Sequence, residues 1–409
     1  MNEKLQQPSN ARTTWAEMHV ADFLSEPLIR EFVFRSPRDL KDDKEVVDFF
    51  VTCGQYNLLI SQKCQEEPSS RDAVKTQKWA MKKAPDAAKQ IQGALRTSAS
   101  KEIWCQHSRR GRVDFPDGLP KIDHGIVVVE VTQVVDLVES RPGNLPLEYQ
   151  GTPIHYFSLS DFMNVAAQLR TVPEITAYLT ARHSLPPEVR LCIGDENLLF
   201  SLYLLNDGSF DGCSSREAAR NIVASNQEKL VSLVQKKNEV MKYCRLIERV
   251  AEEIATRDPK LPEQLQSQYE PIDKRVGYLK MQDVLTNLLF RDRVALGRTF
   301  WGRIEFLDDK PQGFTIAATS VDSLPDHVFV FASSKNSDRK ILIELLSPTT
   351  HSAMAHYQKT VGFMIVDRDG QGFELGYFKT ATPPTEPALI EWGKKNFGKI
   401  TSTPMSFIG

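Results

Sequence analysis

The sequence lacks most of the devices that announce a function directly. Its six cysteines (Cys53, Cys64, Cys105, Cys192, Cys213, Cys244) include no CxxC pair. That excludes a zinc ribbon and argues against a disulfide framework. Cys105 and His107 are the nearest approach to a metal pair, and no second pair stands beside them. No run approaches the ~18 apolar residues a membrane span needs, and the opening MNEKLQQPSNART has no apolar core of a secretory signal. The expectation is therefore a cytoplasmic protein with reduced thiols and no membrane contact. Charge of one sign is also missing: 51 Lys+Arg stand against 53 Asp+Glu, a net of −2. Any nucleic-acid site must then be local. There is no GxxxxGK[ST], no GxGxxG after a strand, no GxSxG and no HExxH. His351 and His356 are five apart, off one helical face. The DRDGQG at 367–372 lacks EF-hand spacing and, between VGFMIV and FELGYF, reads as a hairpin turn.

What remains is the composition of a globular protein, 41% hydrophobic and 25% charged. At roughly 100–200 residues per domain, 409 residues imply two or three domains. Residues 15–34 carry apolar positions at helical spacing (Trp15, Met18, Phe23, Leu28, Phe32), interrupted near Pro27. Val46–Val51 and Asn57–Lys63 are short apolar runs either side of Gly54, the pattern of a hairpin or two adjacent strands. A lysine-rich helix from about Arg71 to Arg96 follows, broken or bent at Pro85. Ile126–Val131, IVVVEV, reads as a buried strand. Beyond it come a strand at Ile154–Leu159, helices at Asp161–Leu169 (capped by Ser160 or Asp161) and Pro173–Arg182, and a strand and helix in LCIGDENLLFSLYLL. Ser215 to about Arg257 reads as one long amphipathic helix, and further helix extends to about Val294. In the last ~110 residues, Phe314–Ala317, His327–Phe331, Val361–Val366 and Phe373–Phe378 read as strands. Ile341–Leu346 fits either state, and Pro387–Gly398 reads as a closing helix. The segments are 1–205, an α/β domain; 206–297, helical; and 298–409, an α/β or β-rich domain.

The informative stretch is KEVVDFFVTCGQYNLLISQK, Lys44–Lys63. Side chains alternate along a strand, so Ser61 and Lys63 share one face and Gln62 takes the other. If the two strands pair, Asp48 meets Lys63 at the sheet edge. A carboxylate beside a lysine is the minimum for metal-assisted phosphodiester hydrolysis. The carboxylate and the Gln62 carbonyl hold Mg²⁺ (or Mn²⁺), and the lysine steadies the attacking water and the charged transition state.

This pattern resembles the PD-(D/E)xK, restriction-endonuclease-like nuclease superfamily: a helix, a strand carrying Asp, a strand ending in (D/E)xK, a helix and a further strand. KEVVDFFV…NLLISQK is also similar to a group of uncharacterised bacterial proteins with an ELxDxLVV…IIxSxK-type start. LSDFMNVAAQLRTVPEITAYLTARHSL and GDENLLFSLYLL are similar to that group's downstream segments. The resemblance covers roughly residues 20–205. It implies an N-terminal mixed sheet with flanking helices and a Mg²⁺-dependent DNA nuclease with Asp48 and Lys63 as motif residues. It also suggests a bacterial anti-phage defence setting, with a defence-system partner or a second copy of the chain as companion. The sequence departs from the motif at Ser61, where the superfamily carries an acid. A second carboxylate must then come from Glu45, provided it precedes the strand or a bulge re-aims it, or from Glu17 or Glu26 on the opening helix.

Between Arg71 and Arg112 eleven Lys+Arg face three acids, a local net of +8. Lys75, Lys78, Lys82, Lys89 and Arg96 fall near one heptad stripe. With Arg109, Arg110 and Arg112 they are expected to form one positive surface beside the Asp48–Lys63 edge. Gln90 and Gln92 lie on the same helix, and a glutamine there resembles the Q-containing helix of some superfamily members. Two other readings compete: a catalytically dead nuclease-like protein that binds nucleic acid or senses it, and a scaffold self-associating through the helix at about 215–257.

Overall fold

The computed structural model describes residues 20, 24–64, 72–98, 101–138, 145–256, 274–309, 314–334, 359–367, 373–380 and parts of 387–391. The chain divides into two compact units, Met1–Leu233 and Val234–Gly409.

In the first unit a 3-10 turn (Arg30–Phe32) leads into β1 (Val33–Asp39). β2 (Phe49–Cys53) and β3 (Tyr56–Lys63) form the expected hairpin. Its two-residue turn holds Gly54 at φ +59°, the left-handed conformation that such tight loops require. Next come α1 (Ala73–Ser98), a hairpin of β4 (Ile103–His107) and β5 (Gly111–Phe115), and β6 (His124–Val129). The chain continues through β7 (Val135–Asp136), β8 (Glu148–Tyr149), β9 (Thr152–Ser158), α2 (Leu159–Leu169), α3 (Val172–His183) and α4 (Pro187–Arg190). It closes with β10 (Cys192–Ile193), α5 (Glu196–Leu205) and α6 (Arg216–Ser225).

One mixed sheet organises these elements, in the order β5-β4-β1-β2-β3-β6-β9-β8. β1, β2 and β3 are an antiparallel meander, whereas β3–β6 and β6–β9 pair in parallel. The fold is mixed α/β, as expected. The alternation along β3 sorts two cores. Leu58 and Ile60 join Phe162, Val165, Tyr178 and Leu199 from α2, α3 and α5. Leu59 joins Ala80, Ala84, Ala87, Ala88, Ile91 and Ala94 of α1. An alanine-rich face lets α1 lie close on the sheet. At Gly125 of β6 a Cβ would stand 2.7 Å from Ile91 Cγ2, so only glycine fits that approach unshifted.

Several expected boundaries move. The helical pattern of 15–34 gives way by Val33 to β1; residues 15–19 lie outside the described residues. Only its last two residues, Val33 and Phe34, enter β1, where they pair with β2 and, for Phe34, with β4. The strand expected from Val46 begins at Phe49, because β1 shifts register between Arg35 and Arg38. Pro37 sits in that irregularity, where a missing N–H breaks no regular ladder. α1 runs unbroken through Pro85. Ser158, rather than Ser160 or Asp161, caps α2, accepting from Asp161 N at 3.0 Å. Asp161 is buried instead and accepts from Gly194 N and Glu196 N. Arg182 of α3 is fully buried, fork-bonded to Glu196 of α5 at 2.6 and 3.0 Å. Removing one partner would strand the other charge without water.

The helix expected over 215–257 is two helices, broken at Asn226 between α6 and α7 (Gln227–Thr256). In the second unit Val240, Cys244, Ile247, Val250 and Ile254 of α7 are buried, so this part of the stripe is core. α8 (Lys274–Thr286) and α9 (Phe290–Asp309) follow. All four expected C-terminal strands are present, as β11 (Phe314–Val321), β12 (Leu324–Ser334), β13 (Lys359–Asp367) and β14 (Phe373–Thr380). They form a sheet in that order, parallel between β12 and β13. Asp367 pairs with Phe373, so the flanks of DRDGQG form the antiparallel hairpin its sequence implied. Ile341–Leu346, and most of Pro387–Gly398, lie outside the described residues. Among the described residues no helix is long and apolar enough to cross a membrane.

Burial leaves a pH signature in the first unit. Desolvation lowers His107 and His124 from 6.5 to about 4, and also holds His155, which hydrogen-bonds His124 at 3.1 Å, well below its ordinary range. The unfolded chain then binds protons the folded one refuses, so this stability is complete above pH 6.5 and drains as pH falls towards 4. Urea unfolding at pH 5 should show a loss of about 1–2 kcal/mol for each of His107 and His124 relative to pH 7.5. A flat profile over that interval would contradict the burial.

Candidate active site

The sheet edge at the end of β3 gathers the motif residues. Asp48 stands one residue before β2, held by its own carbonyl, which accepts from Ser36 N at 2.9 Å in the irregular part of β1. Its Oδ2 accepts from the Gln62 N–H at 2.5 Å, tying it across the hairpin. Ser61 and Lys63 face α1, as alternation requires, and meet Gln90. Gln90 Oε1 accepts from both Ser61 Oγ and Lys63 Nζ, each at 2.8 Å, while its Nε2 donates to Asp48 Oδ1 at 3.3 Å. One amide therefore joins acid, hydroxyl and ammonium. Its carbonyl end takes the two donors and its NH₂ end serves the carboxylate, so both polar ends of the side chain are used.

Of the predicted site residues, Asp48, Ser61 and Lys63 converge. Glu45 turns elsewhere: it bridges Arg38 on β1, and its Oε2 lies 3.8 Å from Arg38 Nη2. Glu45 does precede the strand, opposite a register shift, yet that irregularity delivers it to a cation. Glu26 pairs with Arg170 at 2.8 Å, and Glu17 lies outside the described residues. Gln62, on the opposite face, donates its Nε2 to Cys64 Sγ at 3.0 Å. Gln90 is the residue that spacing alone could not single out. It belongs to a polar helix, and its partners are 27, 29 and 42 residues away in sequence.

The Mg²⁺ or Mn²⁺ site that the resemblance implies does not fit the donors present. A hard cation needs several anionic oxygens, and Asp48 brings the only carboxylate to the Gln90 cluster among the described residues. No group of three His, Cys, Asp or Glu there is placed to hold a metal. Cys105 and His107 are no metal pair either. Burial pushes the Cys105 thiol up to about 12, and His107 contacts the Glu31 carbonyl at 3.2 Å.

The basic surface divides in two. Lys75, Lys78, Lys82, Lys89 and Arg96 are all exposed along α1, opposite its alanine face. Arg109, Arg110 and Arg112 stand on the β4–β5 hairpin, separated from β3 by β1 and β2. Arg109 pairs with the buried Glu31 at 2.8 Å, and Arg110 donates to the Glu31 carbonyl at 2.6 Å. Arg112 pairs with Asp114 at 2.8 Å and lies over the Trp104 ring. The continuous 71–112 surface expected from composition is thus a helix stripe plus a hairpin that uses its arginines structurally. Composition could not separate the two, because the intervening IWCQHSRRGRVDF reads as a hairpin only once the sheet is present.

Comparisons with protein-family models, with curated proteins and with solved structures found no match. The site accordingly stands on its geometry.

Replacing Gln90 tests that geometry. Gln90→Ala leaves Ser61 Oγ, Lys63 Nζ and Asp48 Oδ1 each one partner short. Thermal or urea unfolding should show a loss of about 1–3 kcal/mol. Unchanged stability would mean that water replaces the amide and the bridge is incidental.

Proposed function

We propose that the first unit acts on DNA phosphodiesters at the Asp48–Ser61–Lys63–Gln90 cluster, as a nuclease-like protein. The observation that carries this reading is convergence. Three residues picked from a motif, spread over fifteen positions and two strands, meet one helix residue at hydrogen-bond distance. The surrounding topology agrees with the resemblance: an antiparallel meander, a crossing helix, then a strand parallel to the third. Lys63 supplies a positive charge for a phosphate oxygen, where it offsets the negative charge that builds during hydrolysis. Ser61 Oγ offers a neutral hydrogen bond beside it, and Gln90 fixes the direction of both.

A second reading, binding DNA without cutting it, is favoured by the single carboxylate and by Ser61 in the acidic motif position. Both readings meet in one experiment, plasmid and oligonucleotide assays with Mg²⁺ or Mn²⁺. Wild type should cleave, and Asp48→Asn and Lys63→Ala should each abolish cleavage while folding and most binding persist. Ser61→Ala should be milder, because its hydroxyl carries no charge. Binding that depends on Lys63, with no cleavage under any condition, selects the second reading. In that case Ser61→Asp, which restores an acid beside Lys63, should create divalent-ion affinity measurable by calorimetry. Full activity in Lys63→Ala would sink the assignment of the site.

A further inference from the structure

α1 does more than carry Gln90, because it extends well past it. α1 runs against the direction of β3 and β6. Ile91 packs on Gly125 near the start of β6, and Ala73 accepts at its carbonyl from Gln133, beyond the end of that strand. Gln90 reaches Ser61 and Lys63, and the seventeen residues from Ala73 carry the helix about 25 Å from Gln90, past the ends of β3 and β6. This overhanging half is braced. Ala80, Ala84 and Ala87 pack in one core with Val131, Val135 and Leu137 from the segment after β6. Its outer face carries Lys75, Lys78 and Lys82, all exposed, at about 22, 18 and 12 Å along the axis from Gln90. Lys75 keeps one exposed contact with Asp72, at 3.4 Å. Around the helix these lysines stand about a sixth to a third of a turn from Gln90 and opposite the buried face. A polyanion docked at the cluster therefore passes directly along them.

We propose that the N-terminal half of α1 is a rigid arm that grips the phosphate backbone of duplex DNA flanking the phosphodiester at the cluster. This rests on the function proposed above. Two features assign the occupant. The arm is one continuous helix, unbroken at Pro85, and spans about 25 Å, close to the rise of seven base pairs of a duplex at 3.4 Å each. Its exposed stripe carries cations and no aromatic ring, and the helix's one aromatic, Trp79, packs partly buried against the core. Single-strand binders interleave aromatic platforms with their basic residues. A mainly cationic line, whose acids Asp72 and Asp86 stand against Lys75 and Lys83, instead suits the regular charge array of a duplex, read without regard to sequence.

The test is fluorescence anisotropy with the full chain on a duplex of about 24 base pairs and on a single strand of equal length, from about 50 to 200 mM salt. Wild type should prefer the duplex. The triple variant Lys75→Gln, Lys78→Gln, Lys82→Gln, which changes only exposed side chains, should keep the wild-type melting curve. It should lose tenfold or more in duplex affinity, and its salt slope should fall by about 2.7, at 0.9 per phosphate contact. Arg96→Gln, on the far side of Gln90, should lower the slope by about one at most. Duplex binding by wild type with an unchanged slope in the triple variant overturns the arm and leaves the cluster reading standing. Preference for the single strand overturns the duplex assignment. Absence of binding to either DNA overturns the reading on which the arm rests.

Discussion

The close seating of α1 on β3 and β6 is the constraint from which the candidate site follows. A helix with leucines where Ala80, Ala84, Ala87, Ala88 and Ala94 stand would ride farther from the sheet, and Gly125 removes the last obstruction under Ile91. Only at this short separation can an amide on the helix flank reach two side chains of β3 and a third from the residue before β2. The same seating fixes the direction of the overhanging half. Packing, in this molecule, comes before chemistry: the alanine face sets the distance and Gln90 uses it.

The edge itself is assembled from irregularity. β1 could have run as a regular central strand, but Ser36 adopts φ +44°, Pro37 offers no N–H, and the register slips between Arg35 and Arg38. The Ser36 N–H then holds the Asp48 carbonyl, and Asp48 lands beside the Gln62 N–H rather than inside the β2 ladder. Bulged positions next to functional groups commonly re-aim a side chain in this way. Here one bulge serves Asp48 and costs Glu45, which the same loop turns towards Arg38.

How much of this was legible in the sequence depends on the range of the interaction. Period-two alternation in NLLISQK fixed the shared face of Ser61 and Lys63, and IVVVEV marked β6, because strands buried on both sides leave an apolar run that needs no partner to be recognised. Gly54 marked the hairpin. What failed was non-local. β1 went unread because little of Val33–Asp39 alternates by itself and its β4 partners lie about seventy residues away. The β4–β5 hairpin hid inside a basic segment whose charge count suggested one surface. Gln90 drew notice only as one glutamine of two on a polar helix, and its three partners could be assigned only in space. The break at Asn226 was invisible because Leu and Val spacing carries on through it.

The electrostatics of the cluster decide where affinity for a phosphate can come from. Lys63 hydrogen-bonds a neutral carbonyl oxygen and Asp48 two neutral N–H donors, with Gln90 standing between the two charges. A phosphate approaching this edge meets one positive and one negative group at similar range, and their long-range terms largely cancel. The pair can orient a phosphodiester and polarise it, but it cannot concentrate a polyanion. In the proposed function that task falls to the exposed line along α1, where the lysines outnumber the two acids beside them, Asp72 and Asp86. Under the proposed function, binding strength and bond chemistry would fall on two elements, a helix face and a strand end, which the alanine seam holds in fixed relation. A change to the lysines of α1 should therefore act on affinity and its salt dependence, whereas a change at Asp48 or Lys63 should act on what happens to the phosphate once it is held.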